Sequence, residues 1–239
     1  MPIIQPLGIN TKLLTANKKQ VLTHEVTGIV TAGLELQSGK VGSAINCPSA
    51  VRENLDCLKY CLRFQGNGRF DVVAKARKQR AELLRDNPRE FRRMLNLDIN
   101  LLRLSAEYHG KDLALRLNTF SDRSWTKTIK AHPDVMFFDY TKERARFRSY
   151  LQGKQPANYH LTYSASERDS DSYLLGLLGQ GAQVAVVFKG SALPGSWLGY
   201  PVTDGDEHDA RWLDGPGVVG LRAKGTLRSK NTDFSREAA

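Results

Sequence analysis

The apolar positions between residues 70 and 108 recur with a helical period. One stripe precedes the sequence NPRE and a second follows it. Their members are Val72, Val73, Ala76, Leu83 and Leu84, then Phe91, Met94, Leu95, Leu101 and Leu102. Within NPRE, Asn87 is suited to cap a helix and Pro88 to occupy its first position. Glu90 then lies at the third helical position, where it can complete a capping box. The pattern predicts two consecutive helices that meet at Asn87.

From residue 112 onward, short apolar runs alternate with helical patterns. The predicted strands are DLALRLN (112–118), DVMFFDYT (134–141), YHLTYSAS (159–166), QVAVVF (183–188) and WLGYPVTDG (197–205). A strand–helix–strand repeat favours a parallel sheet with right-handed crossover helices. Such crossovers favour either a barrel or an open doubly wound sheet. Since about 250 residues are typical of eight βα units and this chain has slightly fewer, we prefer an α/β fold of the barrel type, possibly an incomplete TIM barrel.

The chain before these helices has a mixed, turn-rich pattern. EVTGIVTAGLEL (25–36) favours a strand, and glycines interrupt it. We therefore predict a single catalytic domain over 1–239. Its parts are a cysteine-bearing segment at 1–69, a helical and βα-repeat region at 70–228, and a tail at 229–239.

Composition places this domain away from membranes. The 239 residues contain no stretch of about 18 apolar residues, and the N-terminus lacks the pattern of a signal peptide. Three cysteines are an odd number, which fits a disulfide framework poorly. We expect a protein of the cytoplasm, with its thiols free or bound to metal.

The positive charge is unevenly distributed. The net charge is +10, and basic residues concentrate in 75–93, 142–148 and 222–230. Such clusters favour a polyanionic partner, with DNA first, although a solvated basic helix surface gives the same pattern. The residues assigned to nucleic-acid binding are Arg77, Lys78, Arg80, Arg222 and Lys224.

The residues after the predicted strands are polar at four places. Because catalytic groups of parallel α/β proteins lie at the carboxyl ends of strands, we expect one polar rim there. The predicted substrate-binding residues are Asn118, Ser121, Asp139, Ser164 and Ser166. The predicted catalytic residues are Asp122, Asp204 and Asp206. Helix caps and an Asp-Gly hairpin would explain the same residues, and the acidic DGDEHD (204–209) also has the oxygen ligands of a divalent-cation site.

All three cysteines lie within CPSAVRENLDCLKYC (47–61). If this segment is helical, Cys57 and Cys61 share one face. Three thiolates can hold a [4Fe–4S] cluster with one open iron, or zinc with His24, His109, His160 or His208 as the fourth ligand. The spacing differs from the C-x3-C-x2-C of radical-SAM proteins and from zinc knuckles. Two thiols packed on a helix, with a third in a loop, remain the alternative.

Seven blocks of the chain resemble a group of small phage and plasmid proteins, the gene product 88 family. They run in order from about residue 12 to 226 and read NCPSAVRENLDCLKYCLRFQGNGR, RLNTFSD, FFDYTK, NYHLTYSASE, VAVVF, GYPVTDGDEHDARWLD and GLRAKG. The resemblance implies a phage or mobile-element protein.

A looser resemblance, at the level of the fold, is to tRNA- and DNA-guanine transglycosylases, which are basic barrels with a Cys₃His zinc site. It implies that Asp204 or Asp206 attacks the deoxyribose C1′, and that Asp122 assists proton transfer. The partners would be double-stranded DNA with a flipped base and a small 7-deazaguanine base. The zinc cysteines of those enzymes lie late in the chain, whereas here they lie early.

We therefore expect an enzyme that modifies nucleic acid, most concretely by base exchange at guanine. The alternatives are a [4Fe–4S] enzyme with radical-SAM-like or redox chemistry on the same fold, and a basic protein that binds nucleic acid without catalysis.

Overall fold

The structure, a computed structural model, describes residues 3–4 and 7–238, so both ends of the predicted domain 1–239 lie outside the described residues. The helices are α1 (Lys18–Thr27), α2 (Pro48–Arg52), α3 (Asp71–Asp86), α4 (Pro88–Tyr108), α5 (Thr126–Lys130), α6 (Arg144–Leu151) and α7 (Asp171–Leu178). The strands are β1 (Ile3–Ile4), β2 (Ile9–Asn10), β3 (Leu14–Thr15), β4 (Val30–Leu34), β5 (Lys40–Val41), β6 (Ala44–Ile45), β7 (Leu113–Arg116), β8 (Met136–Thr141), β9 (Tyr159–Ser164), β10 (Gln183–Phe188), β11 (Ser196–Trp197), β12 (Tyr200–Asp204) and β13 (Gly217–Arg222).

A nine-stranded, mostly parallel sheet organises these elements. Its order is β11-β12-β13-β10-β9-β8-β7-β4-β3. The seven strands from β4 through β7, β8, β9, β10 and β13 to β12 form a parallel run, and β3 and β11 add antiparallel pairs at its two ends. The predicted α/β class with a parallel sheet is confirmed. The predicted barrel, complete or incomplete, stays a prediction.

The two longest helices follow each other as the apolar pattern predicts. The side chain of Asn87 accepts a hydrogen bond from the backbone N–H of Glu90 and caps α4. α4 buries Phe91, Leu95, Ile99, Leu102 and Ala106, at the i, i+4, i+8, i+11 and i+15 positions of one helical face. This face contributes to the main hydrophobic core beside the sheet.

Three sequence-based expectations are corrected. The strand expected over 25–36 is shorter: β4 covers Val30–Leu34, whereas residues 25–27 end α1, which starts at the capping box of Asn17 and Gln20 and stops at Gly28. Cys57 and Cys61 do not share a helix: Cys57 lies in the 3₁₀ turn Asp56–Leu58, and Cys61 precedes the next turn. The parallel strand β13 has no counterpart among the predicted strands.

The topology places one long connection beside the carboxyl ends of the parallel strands. Residues 35–70, here called the thiol segment, leave β4 and carry all three cysteines before α3 begins. Cys47, Ala50 and Leu55 form a small hydrophobic cluster of their own, separate from the main core. No helix among the described residues is long and apolar enough to cross a membrane.

Candidate active site

A cavity of about 280 Å³ lies at the carboxyl ends of the parallel strands. The thiol segment forms one wall, and the remainder comes mainly from residues at or after the ends of β7, β8, β9, β10, β12 and β13, with Lys19 of α1 and Phe234. Ten of the predicted site residues line it, namely Cys47, Cys57, Cys61, Asn118, Ser121, Asp122, Ser164, Asp206, Arg222 and Lys224. Asp139, Ser166 and Asp204 are not part of the lining. The volume suits a small molecule.

The three thiols occupy the same wall of the cavity in different local settings. Cys47 is buried, accepts the backbone N–H of Gly39 at 3.3 Å, and lies 3.6 Å from the carbonyl oxygen of Phe120. The Sγ of Cys61 lies 3.2 Å from the Oγ of Ser38. All three cysteines are free, and Cys57 and Cys61 are half-buried.

Burial makes Cys47 and Cys57 poor nucleophiles in the absence of a metal. It raises the pKa of Cys47 to about 12 and that of Cys57 to about 11. A reactive cysteine needs a lowered pKa, because the thiolate is the nucleophile. The arrangement therefore favours metal ligands or buried structural thiols over a catalytic nucleophile.

The loop after β7 is fixed by a buried network around Asn118. The Oδ1 of Asn118 accepts hydrogen bonds from Ser121 Oγ and Trp125 Nε1, at 2.8 and 3.2 Å. Its Nδ2 donates to Asp139, whose carboxylate also accepts from Tyr159 Oη at 3.1 Å. Asn118, Ser121 and Asp139 thus shape the loop. Ser166, likewise buried, donates to Asp169 and has a similar supporting role.

Asp122 lies at the cavity in a fixed position. Its carboxylate forms an ion pair with Arg146 and accepts the backbone N–H of Lys142 at 2.9 Å. Its own N–H donates to the carbonyl of Asn46 in the thiol segment, at 2.7 Å. Asp122 therefore links the end of β7, the end of β8 and the cysteine-bearing wall.

Asp204 and Asp206 are both neutralised by cations. Arg222 pairs with Asp204 at 2.8 Å and with Asp206 at 3.3 Å, and Lys224 pairs with Asp206 at 2.7 Å. The hydrogen bond from Arg222 lowers the pKa of Asp204. Burial opposes ionisation of Asp206, but hydrogen bonds from Lys224 and the Arg222 backbone still bring its pKa below the usual value. Both side chains are carboxylates at neutral pH, and their oxygens are occupied.

Asp209, the last residue of the DGDEHD stretch, forms a second ion-pair group with two cations that the sequence did not single out. Asp209 accepts from Lys19 at 2.8 Å and from Arg116 at 3.1 Å. Although burial opposes its ionisation, these cations bring the pKa of Asp209 well below the usual range. The Arg116 guanidinium also lies 4.6 Å from the ring centre of Tyr140. Arg116 lies within β7 and Lys19 within α1. The pattern of polar and apolar residues in such elements does not show that a charged side chain points into a site.

Lys142 carries a charge that no described carboxylate within 4 Å neutralises. Its ammonium donates to Ser164 Oγ at 2.8 Å and to the carbonyl of Ala165 at 3.0 Å. The ring of Phe234 lies 5.1 Å away. The charge of Lys142 also acts to lower the pKa of Cys57, although burial raises it by more. Lys142 is therefore close enough to the thiol segment to affect its cysteines.

The predicted tail contributes to the cavity as well. Phe234 lines it, and Arg236 continues the sheet beside Phe188 through hydrogen bonds to Val187 and Lys189. Thr232 donates to Asp56 at 2.5 Å. Residues 231–238 therefore connect the end of β10 to the thiol segment.

The residues assigned to nucleic-acid binding do not share one surface. Arg77 is 2% exposed, with its guanidinium over the ring of Phe120, so it does not face solvent. Lys78 is exposed, Arg80 is half-buried, and Arg222 and Lys224 belong to the cavity.

The structure provides no preformed zinc tetrahedron in the part of the chain that it describes, where no three His, Cys, Asp or Glu side chains form a single-ion group. Of the histidines considered as a fourth ligand, His24, His109, His160 and His208, none is among the residues that line the cavity. His160 contacts Gln183, and His208 contacts Arg211. Zinc at the cysteines stays a prediction.

Comparison with protein families gives a match to one family model over nearly the whole chain. The family model described as gene product 88 matches residues 7–238, nearly the whole chain, which confirms the resemblance found in the sequence blocks. Neither a curated protein nor a solved structure matches. The analogy to guanine transglycosylases stays a prediction.

Proposed function

This chain belongs to the gene product 88 family, and we propose that it is an enzyme that holds a [4Fe–4S] cluster on Cys47, Cys57 and Cys61 beside its substrate cavity. The observation that carries the proposal is that all three thiols line one cavity at the carboxyl ends of the parallel strands. This is the edge at which α/β enzymes of parallel topology place their chemistry.

The donor set fits a cluster better than a single ion. Thiolates bind one zinc at about 2.3 Å, so all of its ligands must converge on a point. In a cluster each cysteine binds a different iron, so the sulfurs are further apart. Three cysteines that line one cavity wall, but do not form a single-ion group with each other or with any other described side chain, suit a cluster with one iron open to the cavity.

The surroundings of the thiols also support a cluster. The N–H of Gly39 donates to Cys47, and the hydroxyl of Ser38 lies beside Cys61, which are contacts of the kind that tune such centres. Leu58 and Leu62 of the thiol segment, together with Leu227 near the C-terminus, give the cavity an apolar lining that limits water. A cluster with one open iron supplies one-electron chemistry and, with S-adenosylmethionine, radical chemistry.

The remaining residues of the cavity bind and orient the substrate. Asp122, fixed by Arg146, anchors the wall to the sheet. Lys142 places a positive charge beside the thiols. Arg222 and Lys224, with the paired Asp206, line the cavity at the end of β13. The reducing cytoplasm expected from the cysteine content is the compartment in which thiols stay available to a cluster.

Anaerobic purification of the full chain tests the proposal. We expect a brown protein with absorbance near 400 nm and about four iron atoms per chain. Cys47→Ser, Cys57→Ser and Cys61→Ser should each lower the iron content strongly, whereas Ser38→Ala should retain it. A colourless protein without iron after anaerobic reconstitution would contradict the proposal, and stoichiometric zinc in its place would favour the zinc alternative.

Base exchange on DNA is the second candidate, because Asp122 and Asp206 line the same cavity. Their ion pairs count against a free nucleophile. Mass spectrometry of digested phage DNA decides the question. Loss of a modified nucleoside in the Asp206→Asn variant would support base exchange, and an unchanged composition in a gene deletion would eliminate it.

A further inference from the structure

The cavity contains polar atoms that the proposed chemistry leaves unused. Arg116 Nε, Thr119 Oγ1, Tyr140 Oη and Gln20 Nε2 are buried and have no hydrogen-bond partner among the described residues. Arg116, Thr119 and Tyr140 line the cavity. These four residues are here called the polar floor. A fold that buries unpaired donors loses stability unless a ligand or water completes them.

The polar floor is built from neighbouring elements, and two of its members meet at a glycine. A Cβ at Gly33 of β4 would lie 2.5 Å from both Gln20 Nε2 and Thr119 Oγ1, so only glycine leaves room for the two polar tips. The guanidinium of Arg116 lies 4.6 Å from the ring centre of Tyr140. α1, β4, β7 and β8 therefore bring these groups together at one end of the sheet.

All four unpaired groups can donate a hydrogen bond. The guanidinium and the amide nitrogen have no acceptor role, and burial raises the pKa of Tyr140, which keeps its hydroxyl protonated. The charge of the lining has the matching sign. The cations Lys19, Arg116, Lys142, Arg222 and Lys224 outnumber the anions Asp122, Asp206 and Asp209. A ligand that completes this surface must supply acceptors and negative charge.

We propose that the polar floor binds an oxyanion, the carboxylate or phosphate group of a small molecule. Arg116, Thr119 and Tyr140 hold its oxygens, and Gln20 adds a donor behind Thr119. The proposal depends on the proposed function in one respect only: the small molecule that carries the oxyanion is taken to be the substrate of the enzyme. The volume of about 280 Å³ limits the ligand to a small molecule.

Thermal unfolding of the full chain in sodium phosphate, in sodium succinate, and in sodium chloride of equal ionic strength tests the proposal. At ten times the Kd we expect one or both oxyanions to raise Tm by about 4 °C above chloride. A rise with phosphate alone assigns a phosphate, and a rise with succinate alone assigns a carboxylate.

Two isosteric variants and one control locate the effect. Tyr140→Phe and Thr119→Val should lose at least half of the rise, and their Tm without oxyanion should not fall below that of the unmodified chain, because neither hydroxyl has a described partner. Tyr150→Phe, whose hydroxyl lies beside His160 outside the cavity, should keep the whole rise. An absent rise, or an equal rise in the Tyr140→Phe Thr119→Val double variant, overturns the proposal.

Iron content measured in the same samples separates the two proposals. An oxyanion effect in a protein that takes up no iron supports the polar floor and contradicts the cluster. Iron uptake without an oxyanion effect supports the cluster and contradicts oxyanion binding at the polar floor.

Discussion

At the scale of single residues, Asp139 shows how burial changes a carboxyl group. It is buried beneath the cavity, and this burial raises its pKa to about 6, against the opposing effect of Arg116 and the Asn118 hydrogen bonds. The folded protein therefore holds this proton more tightly than the unfolded chain, in which an aspartate titrates near 3.9.

The sign of the resulting pH dependence follows from linkage. The stability that protonated Asp139 contributes is fully present below about pH 4 and is lost as the pH rises through about 6. Between pH 4.5 and pH 7 we expect the unmodified chain to lose about 2 kcal/mol relative to Asp139→Asn, which has no such proton. Urea denaturation of both proteins at the two pH values measures this difference, and parallel pH profiles would contradict it.

Lys142 gives a second prediction at this scale, which depends on the cluster. Its charge lies beside the thiol wall without a described counter-ion. Lys142→Met should lower the midpoint reduction potential of the cluster by roughly 50 mV, because a nearby positive charge favours the reduced, more negative state. Lys78→Met, at an exposed position, is the control and should leave the potential unchanged. Equal potentials in all three proteins would contradict the assigned role.

At the scale of elements, the junction of α3 and α4 is held by one side chain. Asn87 accepts the N–H of Glu90, a donor that the helix itself leaves free. Asn87→Ala should cost about 1 kcal/mol of unfolding free energy, whereas Asn87→Asp, which keeps an acceptor, should stay within a few tenths. Denaturant titrations measure both variants, and an unchanged stability in the alanine variant would show that the cap contributes nothing.

Elements with a strong local pattern were predictable from the sequence. α3 and α4 have a clear apolar face, and β8 and β10 are apolar runs bounded by turn residues. α1 lacks such a face, so only the pairing of Asn17 with Gln20 announces it. β13 contains Gly217 and Gly220 in six residues, and Gly220 is needed because a Cβ there would meet Val202 at 2.6 Å. This glycine is required by a contact with the neighbouring strand β12, and a pattern of residues along the chain does not reveal such contacts.

Some residues of the candidate site were predictable from the sequence, and others were not. The rule that polar residues follow the strands located Asp122, Ser164 and Asp206 at the cavity. It did not find Arg116 or Lys19, since their position depends on how α1 and β7 meet at Asp209. Arg77 illustrates the opposite error, because a basic stretch in the sequence does not reveal which of its members points inward.

At the scale of the whole molecule, the C-terminal residues hold the cavity and the sheet together. Phe234 lines the cavity, Arg236 pairs beside β10, and Thr232 reaches Asp56 of the thiol segment. In a chain that ends at Lys230, we expect the absorbance near 400 nm to bleach in air several times faster, because the cavity opens to solvent.

Two point variants separate this protection from a general loss of stability. Phe234→Ala should accelerate bleaching, whereas Phe234→Leu, which keeps an apolar side chain over the cavity, should not. Circular dichroism should show the same secondary structure in both. Equal bleaching rates in the shortened and full chains would contradict a protective role for residues 231–238.

The separate hydrophobic cluster of the thiol segment has a consequence for how the protein is assembled. Cys47, Ala50 and Leu55 pack apart from the main core, and the contacts of Arg168 with Glu53 and Ser49 fasten the segment to the sheet from outside. A unit with so small a core of its own opens more readily than the sheet beneath it. For the proposed cluster, we therefore expect the cofactor-free protein to keep its sheet folded while the thiol segment opens, which gives iron and sulfide access to the cysteines before the segment closes.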